Sequence, residues 1–305
     1  MKRPARSRTR PAADARPFPW MQVLRCTVWL GALGLAAAGA QALESRYRSL
    51  AGERQLYVEW VNPPDWLGAD TWRFVLEDLQ LGLAPLTAIG TEDPDLARRA
   101  ATIVSASPWV RVVQRVSLAA DGVLRVDAEF RRPLALVLDD TAAYPVAADG
   151  VHLPLRGYRL SHDDAAASGY FLISGIAQQA PEPGGTWGAP ELFNALRLVS
   201  FFERHDWTRG PLAGLRRAFN RVDAARHPGC VSRCLRLRSA EGALIEWGLP
   251  PGEESGVEAP AADKFARLTS LARAGLPTDR VVDLRGFDAV IFRLLTPDRG
   301  LQPAR

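Results

Sequence analysis

Ser161-His162-Asp163 sets a hydroxyl, an imidazole and a carboxylate side by side, the three groups of a hydrolytic triad. Adjacent residues cannot bring a serine to one ring nitrogen and a carboxylate to the other. The tripeptide is therefore expected in a loop, without catalytic work. His227, Cys230 and Cys234 carry zinc-binding side chains, but three ligands fall short of the four of a closed structural site. Cys230 and Cys234 are instead a candidate disulfide, which an oxidising compartment favours. It would close a short loop, and local geometry decides whether it forms. HExxH, Gly-x-Ser-x-Gly, phosphate-binding and dinucleotide fingerprints do not occur in the sequence. No catalytic residue, cofactor or metal is expected, and the chain does not read as an enzyme.

Charge is unevenly spread. Residues 1–25 hold seven basic residues and one acid, a net of +6, whereas the whole 305-residue chain is +4. Residues 26–305 therefore carry −2, and the basic excess is a tail. Nucleic-acid recognition needs a basic face on the folded part, so no nucleic-acid partner is expected. The 47% apolar and 24% charged composition is that of a globular protein and excludes a disordered or multi-span chain. From Cys26 to Leu43 there is no charge for 18 residues. As a helix this run spans roughly 27 Å, enough to cross a hydrocarbon core. The flanking positives place the N-terminus in the cytoplasm. Ala38-Gly39-Ala40 and Ala40-Gln41-Ala42 also fit a signal-peptide cleavage site. An uncleaved signal-anchor is the favoured reading, a cleaved signal peptide the alternative, and both export the rest.

The elements beyond this run have readable periods. Residues 44–53 read as a polar linker and Arg54–Val61 as a strand ended by Asn62-Pro63-Pro64-Asp65. Trp72, Val75, Leu76 and Leu79 have helical spacing over Thr71–Leu81, and Asp93-Pro94-Asp95 starts a helix running to about Ser105. Trp109–Leu118 and Val123–Phe130 form a hairpin across Asp121-Gly122, with Leu124, Val126, Ala128 and Phe130 on one face. This is a βααββ unit. Further on, Asp149-Gly150 marks a second hairpin turn within Tyr144–Pro154, and Gly184–Pro190 reads as a loop. Glu191–Arg204 reads as a helix and Cys234–Arg238 with Ala243–Gly248 as a third hairpin. Asp263–Ala274 is a helix stopped by Gly275 and Pro277, and Arg280–Leu284 and Ala289–Leu295 are closing strands.

The order of these elements, together with several short motifs, resembles the FtsQ/DivIB family of bacterial cell-division proteins. Ser107-Pro108-Trp109-Val110 resembles the Pro-Trp-Val of that family's membrane-proximal POTRA module. The run from Leu124 through Glu129, Arg131 and Pro133 to Ala135 is similar to its L-x-V-x-v-x-E-R-x-P-x-A pattern. Asp149-Gly150-Val151-His152-Leu153-Pro154 resembles D-x-x-G-x-x-(L/F)-P, and Leu172-Ile173-Ser174-Gly175 the entry to its second domain. Leu244–Gly248, Lys264 with Leu268, and Val282-Asp283-Leu284-Arg285 resemble the closing motifs. The resemblance covers roughly residues 25–295. It departs at Trp60-Val61-Asn62-Pro63-Pro64, where the family commonly has V-x-G, and in the tryptophan-rich stretch (Trp66, Trp72) that follows. Gln178–Gly188 and Trp207–Pro228 have no clear match either.

The resemblance implies an α+β chain with a basic tail (1–25), a single transmembrane helix (26–43) and a linker (44–53). A βααββ POTRA-like domain (54–132), a mixed β-sheet domain with flanking helices (133–295) and a C-terminal tail (296–305) follow. It further implies a non-catalytic, single-pass scaffold of the cytoplasmic membrane, with its bulk outside and its place at the division septum. Its partners would be division membrane proteins of the FtsB/FtsL (DivIC) type, bound partly by strand addition at the last strand. An exposed terminal strand has unpaired N–H and C=O groups that a partner strand can use, which makes Asp283, Arg285, Val290, Phe292 and Leu294 the candidate partner-binding residues. The alternative that this strand is central or covered stays open, as does a purely structural Asp283–Arg285 ion pair. Trp109, Val110, Glu129, Arg131 and Pro133 carry the POTRA motif. Glu129 is expected in a solvated charge cluster with Arg131 and Arg132. Trp109 is expected in the core under the module's second helix, with its N–H on a nearby carbonyl. A different POTRA-bearing chaperone or secretion component is the rival function, although further POTRA repeats and a C-terminal barrel are missing from the sequence.

Overall fold

The computed structural model describes residues 20–52, 57–87, 93–119, 122–155, 160–205, 219–227, 234–239, 241–254 and 256–294, with backbone alone for 20–28, 30 and 47–52. Helix α1 spans Trp20–Gly52. It runs through residues 44–52, which the polar composition had suggested as a linker. Polar but Gly/Pro-poor sequence there (ESRYRSLA) contains nothing that breaks a helix. Among the described residues no helix is long and apolar enough to cross a membrane; the charge-free run begins where only backbone is described. The described apolar side chains of α1 have no cover: Trp29, Leu33, Leu35 and Leu43 are 65–77% exposed.

The first globular unit is β1 (Tyr57–Trp60), α2 (Ala69–Thr87), α3 (Leu96–Ala106), β2 (Val110–Leu118) and β3 (Val123–Phe130), the expected βααββ order. Its sheet has order β1-β3-β2, with β1 parallel and β2 antiparallel to β3. Gly122 closes the hairpin at φ +85, a conformation that costs other residues a steric penalty. Leu124, Val126 and Ala128 are buried on one face, against Leu83, Leu86, Leu96, Ala100 and Val104 of the two helices. Gly82 lets α2 and α3 approach closely, since a Cβ there would stand 3.1 Å from Ile103.

The second unit begins two residues after β3. It holds β4 (Pro133–Leu138), β5 (Ala143–Ala147), α4 (His162–Ala167), β6 (Phe171–Ser174), α5 (Pro190–Arg204), β7 (Arg221–Asp223), β8 (Leu235–Arg238), β9 (Leu244–Gly248), α6 (Ala261–Ala274), β10 (Arg280–Asp283) and β11 (Ile291–Leu294). These strands form one mixed sheet in the order β11-β10-β9-β8-β7-β6-β4-β5. The parallel neighbours β4/β6, β6/β7 and β9/β10 require crossovers; the first runs through β5 and α4, and α5 and α6 supply the other two. Both helices lie on one face, over a core that includes Phe171, Ile173, Phe202, Val222, Ile245, Trp247, Leu268 and Val282. On the other face, Ala165 of α4 packs with Leu136, Ala143 and Leu172 near the β5 end. The chain is thus α+β with mixed sheets.

Besides α1, two elements depart from the sequence reading. Ser161-His162-Asp163 opens helix α4 instead of a loop: Ser161 Oγ accepts from Asp164 N at 3.1 Å, an N-cap that the run of Asp and Ala after it rewards. Strand β7 falls in the stretch that no motif had matched. Its three residues are too few for a periodicity signal.

Candidate functional site

Among the described residues β11 is an edge strand of the large sheet, at the end opposite β5. It pairs antiparallel with β10, Asp283 opposite Ile291 and Val282 opposite Phe292. All four of its side chains are exposed, with Ile291 and Phe292 at 47% and Leu294 at 76%. Val290, just before the strand, packs partly against the core. β11 is thus an edge and not a central strand, while the alternative of a cover by the C-terminal tail falls on residues 295–305, outside the described residues. Phe287 and Val257 add further exposed apolar surface, and their loops meet where Ala259 N donates to Arg285 O at 2.8 Å.

Behind β11, the sheet face left open by the helices carries a ladder of charges. Alternation along each strand places Asp223 (β7), Arg236 and Arg238 (β8), Glu246 (β9), Asp283 (β10) and Arg293 (β11) on the face opposite the apolar core. Asp223 meets Arg238 at 3.2 Å and Arg236 meets Glu246 at 3.0 Å. Glu246 and Asp283 stand directly opposite each other across the parallel pair β9/β10. Like charges opposed in this way repel, and two guanidiniums clamp them. Arg285 reaches Asp283 at 2.7 Å and Glu246 at 2.9 Å, while Arg293 reaches Asp283 at 2.6 Å and Glu246 at 3.5 Å. Asp283 is buried, its side chain 3% exposed. Burial alone would raise its carboxyl, but hydrogen bonds from Arg285 and the charges of Arg285 and Arg293 outweigh that and hold it below the usual carboxylate value. Asp283 and Arg285 therefore form the structural ion pair that the sequence left as one of two readings.

One turn of chain fixes this region to the core. Lys264 is fully buried and its Nζ donates to Glu258 Oε2 at 2.8 Å. The same oxygen accepts from Leu249 N at 2.9 Å. Gly248, at φ +88, makes room, since a Cβ there would lie 2.2 Å from Glu258 Oε2. The Lys264 and Gly248 motifs thus serve one buried ion pair.

The POTRA-motif residues gather elsewhere, at the joint between the two units. Trp109 is 1% exposed, packed with Val75 and Leu79 of α2 and with Ala147, Val151 and Leu153 of the second unit. It therefore lies between the units and not under α3 as expected, and among the described residues its indole N–H has no hydrogen-bond partner. The reason is the chain path: the Asp149-Gly150 turn brings Val151 and Leu153 back onto the ring. Arg131 spans the joint, with Nε donating to Asp149 at 2.8 Å and a terminal nitrogen to the Pro108 and Val110 carbonyls. It does not join Glu129, which pairs with Arg111 at 2.8 Å on the exposed sheet face. Val110 is buried in the first core, and Pro133 opens β4 opposite Ala147. The unusual tryptophans take part too: Trp60, Trp72 and Phe130 cluster with ring centroids 5.2–6.0 Å apart, against the same joint.

Cys234 is disulfide-bonded, whereas Cys230 lies outside the described residues. Among the described residues no three of His, Cys, Asp and Glu are grouped to hold a metal ion. The sequence reading named Asp283 and Arg285 but missed Arg293, Glu246 and Arg236. Period-two charges in Arg236-Leu237-Arg238 and Ile245-Glu246-Trp247 were the available signal. Neither a protein-family model nor a curated protein matches the chain.

Proposed function

We propose that the chain is a non-catalytic, single-pass scaffold of the bacterial division machinery, of the FtsQ/DivIB kind, which binds partner proteins outside the cytoplasmic membrane. The observation that carries this reading is β11, an edge strand with four exposed side chains at the end of an eight-stranded sheet. An edge main chain beside exposed apolar side chains is what a partner strand extends. The partner is of the FtsB/FtsL (DivIC) type, and it adds a strand to β11. The βααββ unit ahead of a mixed sheet supports the reading, as do motifs that meet at one joint. The exposed apolar side chains of α1, behind a basic tail, support an anchor in the cytoplasmic membrane with the N-terminus inside. Depleting the chain in its own bacterium, with a full-length fluorescent fusion as the complementing copy, tests this. The expected result is filamentous cells without the chain and septal fluorescence with it. Normal division on depletion, with the fusion spread evenly over the envelope, would refute it.

A further inference from the structure

We infer that Arg293 is the positioning residue that fixes the register of the terminal strand, and with it which side chains a partner meets. The inference rests on β11 being the partner-binding edge. Register in a sheet is normally set by burying one face, because a one-residue slip moves every side chain to the other face. β11 lacks that device, since none of its four side chains is buried. The segment before it is held in place: Arg267 donates to the carbonyls of Gly286 and Phe287, and Val290 leans on the core. The Arg267 contacts set where the strand starts, and Val290 begins the alternation on the core side. Arg293 holds that alternation along the strand itself. Its guanidinium lies 2.6 Å from Asp283 and 3.5 Å from Glu246, two carboxylates that oppose each other on the open face. Strand alternation then sends Phe292 and Leu294 to the opposite, helix-bearing face. After a one-residue slip Arg293 would leave both carboxylates to Arg285 alone, and an apolar side chain would stand over them. Arg293 turns its charged end to Asp283 and Glu246 although its side chain is 51% exposed, and so selects the face that β11 presents.

The test uses the full-length chain in detergent and a purified FtsB/FtsL-type pair from the same genome as the probe. Hydrogen exchange reads the strand, and titration of the pair reads binding. In Arg293→Gln, the amides of residues 292–294 should lose about threefold to fivefold of their protection while those of β9 and β10 hold. Binding should weaken about threefold to fivefold although Phe292 and Leu294 are intact. Arg293→Lys, which keeps a charge, should restore part of both, and raised salt should weaken β11 protection in the parent chain. Unchanged β11 protection in Arg293→Gln would overturn the inference, and so would lost protection with unchanged binding. Failure of the parent chain to bind the pair would instead strike at β11 as the partner edge, leaving the exchange result to decide the register on its own.

Discussion

Removing the Arg131 side chain tests what holds the two units together. The guanidinium makes three contacts: an ion pair with Asp149 at 2.8 Å and hydrogen bonds to the carbonyls of Pro108 and Val110. They differ in worth. The Asp149 side chain is 39% exposed, so water can replace its partner, and an exposed pair contributes at most about 1 kcal/mol. The carbonyls lie beside a side chain that is only 18% exposed, and charge-assisted bonds in such a setting contribute about 1.5–3 kcal/mol each, non-additively. Arg131→Ala should therefore cost about 2–4 kcal/mol and Asp149→Ala no more than about 1 kcal/mol. Arg131→Lys should fall between, since an ammonium cannot reproduce the fork. The assay is urea unfolding of the full-length chain in detergent, followed by tryptophan fluorescence, which reports on Trp109 in the joint, and by circular dichroism. Equal losses for Asp149→Ala and Arg131→Ala would refute the reasoning, because the surface ion pair would then be the whole of the contact.

Lys264→Met should destabilise by about 3–5 kcal/mol, as it strands Glu258 at a 12% exposed position. The double change Lys264→Met with Glu258→Gln should recover much of that in the same assay, and a double mutant as unstable as the sum of both singles would count against a coupled pair. Gly248→Ala should cost more than the 1–3 kcal/mol or so of its positive φ alone, because the new methyl displaces the Glu258 carboxylate; a loss under about 1 kcal/mol on thermal unfolding would contradict this. Asp283 has a folded pKa below its unfolded value of 3.8, so its stabilisation is complete above that value and is lost as the pH falls through the folded one. Asp283→Asn should flatten acid unfolding in that window. His227 behaves in the reverse way. Burial, helped by Arg236 and Arg238 and opposed by Asp223, lowers it from 6.5, so the unfolded chain takes up the proton first. Stability should then fall as the pH drops below about 6.5, and His227→Gln should remove that slope from urea midpoints measured between pH 7.5 and 5.

The small unit was legible because each of its elements carries its own signal. Trp72, Val75, Leu76 and Leu79 have the helical period, Leu124, Val126 and Ala128 the strand period, and Gly122 takes the positive φ of a turn between the strands. Strands β10 and β11 were legible for the same reason. What was hidden depends on distant sequence. Trp109 looked like an ordinary core residue of its own unit, and only the returning turn at Gly150 shows that it packs between units. Arg131 read as one more charge beside Glu129, because the Pro108 and Val110 carbonyls, its true partners, carry no sequence signature. The charge ladder is likewise assembled from β7, β8, β9, β10 and β11, whose neighbours are fixed by the crossovers through α5 and α6. Arg293 gains its meaning only when β11 is laid beside Asp283. Helix α1 extends past its apolar run because helix continuation is governed by breakers, and residues 44–51 contain neither Gly nor Pro.

The claim that the edge at β11 binds division proteins is tested most directly in the membrane. A photo-crosslinking amino acid would replace Phe292 in the full-length chain within its own bacterium, with Glu59 on the first unit's open sheet face as the control position. Illumination should join position 292, and not position 59, to a small FtsB/FtsL-type protein identified by mass spectrometry. Equal capture from both positions, or capture of envelope proteins unrelated to division at 292, would contradict the account and favour an exported POTRA-type chaperone.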